Sequence, residues 1–421
     1  MMAKLINFLE DRQKIIQKCF FTLFIIFIYI IGTKIFIPLL GEDFYSLLSK
    51  LKKTSSKNEF LFSNNSCSLL ALGVIPYVTA SIIIQFAQKV FPFFQEWQKQ
   101  GDKGKYKINI VTRVLTILIA ITQSFFMLQQ NPIHLAKLFT IKDENLIAFH
   151  FIVVFFSVVG VFISIWLADL ITSKGVGNGI SILIVIGIID KLFNTFKYLL
   201  DYNEPFLTQR LLILFSFFIL LILTIYLSLA YLKLPINYAV DRHNDKIDNH
   251  IPFKLNTSGV LPIIIADTFL NITNYIKMFF PKSTNFMNFF IESRSYLGIY
   301  FFVYLLLVML FSFFSSFMTI NPMELSEHLS KQNAYLKDVR PGLPTVKKLT
   351  YEIFKLTCIG SFFLTLLAAA PDVISFCFNN EISRNIKFGG TSLLIVVGVA
   401  IETIQNIKKE KNVKNTYSKF F

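Results

Sequence analysis

The sequence predicts an all-α polytopic membrane protein, with ten transmembrane helices in two inverted five-helix halves around a central pore. Three observations predict this class. The 421 residues are 54% hydrophobic and only 16% charged, which is not the composition of an ordinary soluble domain. Apolar runs of roughly 18 to 25 residues recur along the chain, the length that a helix needs to cross a hydrocarbon core about 30 Å thick. Two of these runs carry the same Gly-Val-x-Pro interruption.

The ten predicted spans are approximately 19–40, 70–91, 108–128, 148–170, 180–196, 211–232, 255–280, 297–320, 351–370 and 389–407. The first run follows several basic residues, as a signal peptide does, but it has the length of a full span and lacks a small-residue cleavage site. We therefore expect it to remain as the first helix. The two halves are predicted at 1–205 and 206–421.

Charge predicts the orientation. If the amino terminus is cytoplasmic, the inside segments hold more Lys and Arg than the outside segments, as the positive-inside rule requires. The exception is a lysine cluster at 50–57 in the first outside loop. Both termini and the loops near 233–254 and 321–350 are then cytoplasmic. Basic loops near anionic headgroups also account for the net charge of +15 without nucleic-acid binding.

The interruptions occur at Gly73-Val74-Ile75-Pro76 and Gly259-Val260-Leu261-Pro262, at the second position of each predicted half. Each follows a short polar run, and because five is odd the two halves would be oppositely oriented. Broken helices survive in a membrane only where they line a cavity or are buried in protein. The pattern therefore predicts a central pathway, and two unrelated helix kinks are the alternative.

Several motifs resemble those of the SecY family. Residues 72–85, Leu-Gly-Val-Ile-Pro-Tyr-Val-Thr-Ala-Ser-Ile-Ile-Ile-Gln, are similar to the signature of its second helix. Further matches follow in the family's order: Gly175-Val176-Gly177-Asn178-Gly179-Ile180-Ser181, Asn321-Pro322 with Glu324, Arg340-Pro341-Gly342, and Gly389-Gly390-Thr391-Ser392-Leu393-Leu394-Ile395. The resemblance covers nearly the whole chain and implies a protein-conducting channel with an hourglass pore and a lateral gate towards lipid.

The resemblance also implies a pore ring, and all six of its residues are aliphatic here: Val74, Val78, Ile180, Ile184, Ile264 and Ile395. A narrow apolar constriction retains ions by dewetting. Branched side chains can close around a passing polypeptide without binding it. The ring would therefore suit a conduit for unfolded chains.

Two further elements are implied by the resemblance. A plug near 61–72, containing Ser63, Asn64, Asn65 and Ser66, would close the pore from outside at rest. A lateral gate would open between helices two and three on one side and seven and eight on the other, with Thr79 and Gln85 near the seam. Polar contacts between membrane helices contribute only about 1 kcal/mol, which suits a joint that must open.

The implied partners are a small SecE clamp, the SecA ATPase as motor, the ribosome, signal-bearing preproteins and membrane lipid, with SecG left open. Arg340, Pro341 and Gly342 would belong to the docking loop for the motor or the ribosome, where ribosomal RNA is the one nucleic acid expected. The loop from 231 to 254 is shorter and less basic than is usual in the family. The membrane would be a bacterial cell membrane, with a plastid membrane as the alternative.

Competing functions make different demands on the sequence. A secondary transporter of a small solute also uses inverted repeats with broken helices, but it needs buried ionisable groups. Lys34, Asp267 and Glu402 are the candidates, and Asp267 is also a candidate for a role in gating. Membrane-enzyme motifs and a phosphate-binding Gly-rich loop are missing from the sequence, and the four Cys have no metal-site spacing. We therefore expect no catalytic activity, metal or cofactor, and a passive pore driven by a partner.

Overall fold

The computed structural model describes residues 2–35, 68–130, 146–200, 207–238, 250–257, 259–279, 298–336, 339–378 and 392–408. The chain divides into two compact units. Unit 1 contains the residues up to Asp190 together with those from Glu402, and unit 2 is Lys191–Ile401.

The first unit contains α1 (Met2–Lys34), α2 (Ile75–Val90), α3 (Pro92–Lys99), α4 (Asp102–Gln130), α5 (Leu146–Lys174) and the first half of α6 (Gly179–Leu200). Helix α5 packs against α1 and α4, and α4 packs against α2. The short helix α3 folds back onto the beginning of α4, where Gly104 lies directly against the main-chain carbonyl of Trp97.

The second unit contains α7 (Leu207–Leu229), β1 (Tyr231–Tyr238), β2 (His250–Lys254), α8 (Leu261–Phe279), α9 (Ile299–Thr319), α10 (Pro322–Lys331), β3 (Ala334–Leu336) and α11 (Leu343–Phe378). Helix α9 packs between α8 and α11, and α7 packs against α11. A final helix, α12, covers 392–408, and its last residues belong to the first unit.

Each of the ten predicted spans overlaps one of these helices in the described residues. In the described ranges, six helices are long and apolar enough to cross a membrane, and the apolar parts of α6 and α8, Gly179–Ile189 and Leu261–Leu270, are shorter. Large apolar side chains are exposed along the outer faces of the long helices, for example Phe20, Phe151, Phe215, Leu306 and Phe362. Such continuous apolar surface requires lipid around it. The protein is therefore a multi-pass membrane protein, as predicted.

Many of the hydroxyl groups inside the described helices donate to the backbone of their own helix. The side chain donates to the carbonyl four residues earlier in Thr79, Thr112, Thr116, Ser164, Thr172, Thr268, Thr357 and Thr365. A polar group buried away from water is costly unless it has such a partner. Spans that are rich in Ser and Thr can therefore remain embedded in an apolar environment.

A small sheet in unit 2 was missed by the sequence prediction. Strand β1 is central and antiparallel to both neighbours, with Tyr231 opposite Lys254 and Ile236 opposite Leu336. The predicted span 211–232 is therefore too long at its end, because the helix stops at Leu229 and β1 begins two residues later. Buried Ile236, Phe253 and Leu336 pack with side chains of α10 and α11.

Helix α10 was predicted only as loop. Asn321 caps it, since its side chain accepts a hydrogen bond from the Met323 N–H at 3.2 Å, and Pro322 occupies the first turn, where no intrahelical donor is needed. The amide of Asn321 also donates to Glu324 at 3.0 Å. The Asn-Pro-x-Glu motif, which resembles that of the family, therefore forms the beginning of α10.

Candidate functional site

The interruption before α2 is a sharp change of backbone direction in unit 1. Gly73 has a φ of +53°, in the left-handed region where residues with a Cβ are strained. The turn is tight, because the N–H groups of Ala71 and Gly73 donate to the carbonyls of Ser68 and Leu70 at 3.1 and 3.0 Å. Pro76 then falls in the first turn of α2, where its missing N–H costs nothing.

The interruption before α8 repeats this geometry in unit 2. Gly259 has a φ of +65°, and Pro262 lies in the first turn of the helix. The amide of Asn256 donates to the Gly259 carbonyl at 3.0 Å, and the Thr257 hydroxyl donates to that of Ser316 on α9 at 2.7 Å. The predicted pair of broken helices is therefore present, one in each unit.

Three of the predicted ring residues lie together in unit 1. Val74 is 2% exposed and belongs to a buried apolar cluster formed by α1, the turn before α2, α5 and α6. Ile180 and Ile184, on successive turns of α6, pack against this cluster. Val78 is half-buried one turn further along α2. The motif after α5 and the motif before α2, which are distant in sequence, thus contribute to one apolar cluster.

The two ring residues predicted in unit 2 lie near a helix crossing. Gly398 of α12 lies directly against the side chain of Val260 at the start of α8. Ile264, which is half-buried, and Ile395, which is 5% exposed, each lie about one helical turn from this crossing.

Hydrogen bonds fix the start of α6, which carries Ile180. The Thr172 hydroxyl accepts from the Gly179 N–H at 2.9 Å, and the Asn178 side chain accepts from the Ile180 N–H at 3.1 Å. The Thr22 hydroxyl of α1 accepts from the Val176 N–H at 3.0 Å. Sequence reasoning missed Thr22, because no local pattern relates residues 22 and 176.

The two predicted gate residues make hydrogen bonds within α2. The Thr79 hydroxyl donates to the Ile75 carbonyl at 3.0 Å and is largely buried. The Gln85 amide, which is half-buried, donates to the Ser81 hydroxyl at 3.3 Å.

The predicted docking residues form the turn that begins α11. Arg340, Pro341 and Gly342 are all exposed. The Arg340 carbonyl accepts from the Thr345 hydroxyl at 2.8 Å, and Gly342 has a φ of +101°. This turn lies beside the sheet and α10, whose buried side chains hold the region together. The predicted plug residues Ser63, Asn64, Asn65 and Ser66 lie outside the described residues.

Ionisable groups within the spans are more numerous than predicted. Asp267 is half-buried in α8, while Lys34 and Glu402 are exposed at or near helix ends. The prediction overlooked Arg113 and Asp169, which pair between α4 and α5 at 3.1 Å and are each about half exposed. Opposite charges in two adjacent spans, each near the predicted cytoplasmic end, were the available signal. Within the described ranges, no group of three or more His, Cys, Asp or Glu residues is arranged to hold a metal ion.

Comparisons with known proteins show which family this chain resembles. The SecY family model matches residues 68–404. The chain is 34% identical to the protein translocase subunit SecY of Staphylococcus carnosus (strain TM300) and 33% identical to that of Staphylococcus aureus (strain NCTC 8325 / PS 47), over 98% of both chains in each pair.

Solved structures show the same fold. A protein-conducting channel superposes with a TM-score of 0.63 at 16% identity, covering 94% of this chain and 93% of that one. Sec61 in the canine ribosome-channel complex from the endoplasmic reticulum superposes with a TM-score of 0.60 at 16% identity, with the same coverage. On the family match and the extent of the sequence identity, this chain belongs to the SecY family.

Proposed function

We propose that this chain is the protein-conducting channel subunit of a translocase, passing secretory proteins across the membrane and releasing membrane helices sideways into lipid. The observation that carries the proposal is the end-to-end similarity to chains named protein translocase subunit SecY. It favours a protein channel over the alternative of a small-solute transporter, which inverted repeats alone would equally allow.

The pore ring in this proposal is Val74, Val78, Ile180, Ile184, Ile264 and Ile395. Support comes from the apolar cluster of unit 1, in which Val74 is buried and against which Ile180 and Ile184 pack. A constriction lined only by aliphatic groups offers an ion no ligand to replace its water, so a narrow ring is dry and impermeable at rest. The same side chains present no hydrogen-bonding group that would retain a passing peptide.

The lateral gate and the plug are part of the same proposal. A signal segment intercalates beside α2, near Thr79 and Gln85, and the plug segment near 61–72 leaves the pore. Because Thr79 and Gln85 bond within their own helix, parting α2 from a neighbour breaks neither bond. This supports a low cost of opening at these two positions.

Energy comes from a partner in this proposal, and the chain has no catalytic role. We place 1–205 and 206–421 as the two halves, with both termini and the sheet region cytoplasmic in a bacterial cell membrane. The turn at Arg340, Pro341 and Gly342 is the proposed docking point for a SecA motor or a ribosome. A SecE-type subunit clamps the halves, and SecG is a further candidate.

Reconstitution tests the proposal. The chain with a SecE-type partner is placed in liposomes, and SecA- and ATP-dependent protection of a signal-bearing preprotein from protease is measured. We expect protection that requires this subunit. Ile264→Asn and Ile395→Asn should loosen the signal requirement and raise ion leakage, because an amide in the ring retains water.

Ile189→Asn is the matched control, since Ile189 lies on α6 and is 49% exposed. This control should leak no more than the wild type. Equal leakage from the control and the ring variants would remove the ring assignment. Absent protection with a working motor, combined with uptake of a small solute, would overturn the channel and return attention to Asp267.

A further inference from the structure

The same three-part backbone contact occurs in each unit, just before the broken helix. In unit 1, Leu69 stands four residues before Gly73. Its N–H donates to the carbonyl of Ile35, the residue that follows α1, at 2.8 Å. Its own carbonyl lies directly on Gly160, in the middle of α5, so closely that a Cβ at Gly160 would overlap the carbonyl oxygen.

In unit 2, Leu255 stands four residues before Gly259. Its N–H donates to the carbonyl of Ala230, the residue that follows α7, also at 2.8 Å. Its carbonyl lies directly on Gly360 of α11, where a Cβ would again overlap the oxygen. The first and fourth spans of each predicted half therefore hold the segment before the second span in the same way. We call each arrangement a glycine seat.

Neither carbonyl can easily move away from an added methyl group. The N–H of the same leucine, in the peptide plane just before that carbonyl, is held by the residue that follows the preceding span. In unit 1 the neighbouring side chains of Leu70 and Leu72 are 3% and 2% exposed, so close packing resists a shift. A side chain at either seat must therefore displace the segment as a whole.

If the segment before α2 or α8 is displaced, the proposed ring residues that follow it are displaced as well. In unit 1, two successive turns join Ser68 to Ala71 and Leu70 to Gly73, and Val74 follows directly. In unit 2, the Asn256 side chain bonds the Gly259 carbonyl, and the Val260 carbonyl accepts from the N–H of Ile263 in the first turn of α8. The ring residue Ile264 follows in that turn.

We propose that Gly160 and Gly360 are positioning residues that set the level of the ring side chains on α2 and α8 in the closed channel. The inference rests on the proposed function. Neither glycine is itself one of the proposed ring residues. Each seat brings a helix and a main-chain carbonyl so close together that the break before the pore-lining helix has a single position in the closed channel.

The test compares Gly160→Ala and Gly360→Ala with Gly187→Ala in the reconstituted complex. Gly187 is a helical glycine of α6, and a Cβ there would meet no heavy atom within 4 Å. We expect each seat variant to raise the resting ion leak roughly tenfold, since overpacking shifts the closed state against open ones. Gly187→Ala should leave the leak at the wild-type value.

A second pair of variants, in which the added methyl group meets a side chain and not a main-chain carbonyl, covers the case in which the seat variants fail to assemble. A Cβ at Gly32 of α1 would overlap the end of the Leu70 side chain, so Gly32→Ala should also leak. Leu70→Val in the same chain shortens that side chain and should restore the closed channel. If Gly32→Ala caused only a general structural defect, it would lower thermal stability, and adding Leu70→Val would not return the ion leak to the wild-type value.

The outcomes separate the two proposals. If the wild-type complex does not translocate a preprotein, the proposed function fails. If it translocates normally, but the seat variants leak no more than Gly187→Ala, and Leu70→Val gives no recovery, the glycine seats have no positioning role and the channel assignment stands.

Discussion

The breaks before α2 and α8 share their backbone geometry but differ in what surrounds the glycine. A Cβ at Gly73 would lie 2.8 Å from the hydroxyl oxygen of Tyr29, which is itself 4% exposed. A Cβ at Gly259 would meet nothing within 4 Å. Of the residues from Ser68 to Leu72, all but Leu69 are buried, whereas residues 255–257, which follow the sheet and precede Gly259, are half-buried. The two breaks thus share a backbone conformation but differ in the packing around the glycine.

This difference separates two costs that are normally mixed. A residue with a Cβ is strained by left-handed backbone at both positions, because that cost arises within the residue itself. Only at Gly73 must the surroundings move as well. We therefore expect the break in unit 1 to be the more rigid of the two, and substitutions at and beside the breaks measure the contrast.

The largest effect is expected from Gly73→Ala. Left-handed backbone costs about 1–2 kcal/mol and overpacking a further 1–3 kcal/mol or so, so the free energy of unfolding should fall by about 3 kcal/mol. Denaturation of the purified complex in detergent measures it. Adding Tyr29→Phe, which removes the clashing hydroxyl, should recover part of the loss and leave the backbone cost.

Gly259→Ala should cost less. Without a steric neighbour, only the backbone cost of about 1–2 kcal/mol applies, and the same denaturation experiment compares it with Gly73→Ala. Equal losses in the two variants would contradict the contrast in packing. A larger loss at Gly259 would reverse it.

The smallest effects come from the hydrogen bonds that flank the breaks. Thr22→Val leaves the Val176 N–H without its 3.0 Å acceptor, and an unsatisfied backbone donor should cost about 1 kcal/mol or more. Thr257→Val removes a hydroxyl pair between α9 and the approach to α8, and such contacts in membranes contribute about 0.6 kcal/mol. Unfolding free energies of the two variants should keep this order, and the opposite order would place the tighter restraint in unit 2.

Sequence reasoning succeeded where the constraint is local or where the solvent imposes it. Apolar runs predicted the six long apolar helices of the described ranges, because the bilayer demands such runs. Gly followed by Pro at 73–76 and at 259–262 predicted both breaks, since the φ preference and the missing N–H belong to those residues themselves. The grouping of Val74 with Ile180 in a pore ring rests on motif resemblance and stays a prediction, since periodicity alone gives no reason for it.

The failures share a different cause. The sheet at Tyr231–Tyr238 and Ala334–Leu336 pairs strands about a hundred residues apart, and a three-residue strand has no readable pattern of its own. The Arg113–Asp169 pair was missed because each charge was judged within its own span. Gly160 and Gly360 could not be singled out from the sequence, because a helical glycine shows its role only when its neighbour is known.

By itself, then, the sequence determined the membrane class, the positions of the spans and the two breaks, because hydropathy and backbone preference act over a few residues. Tertiary structure alone decided which carbonyl lies on which glycine, which hydroxyl closes the turn before α6, and how tightly each break is surrounded. Those features depend on close packing between segments that are far apart in the chain, where one methyl group decides whether two backbones can approach.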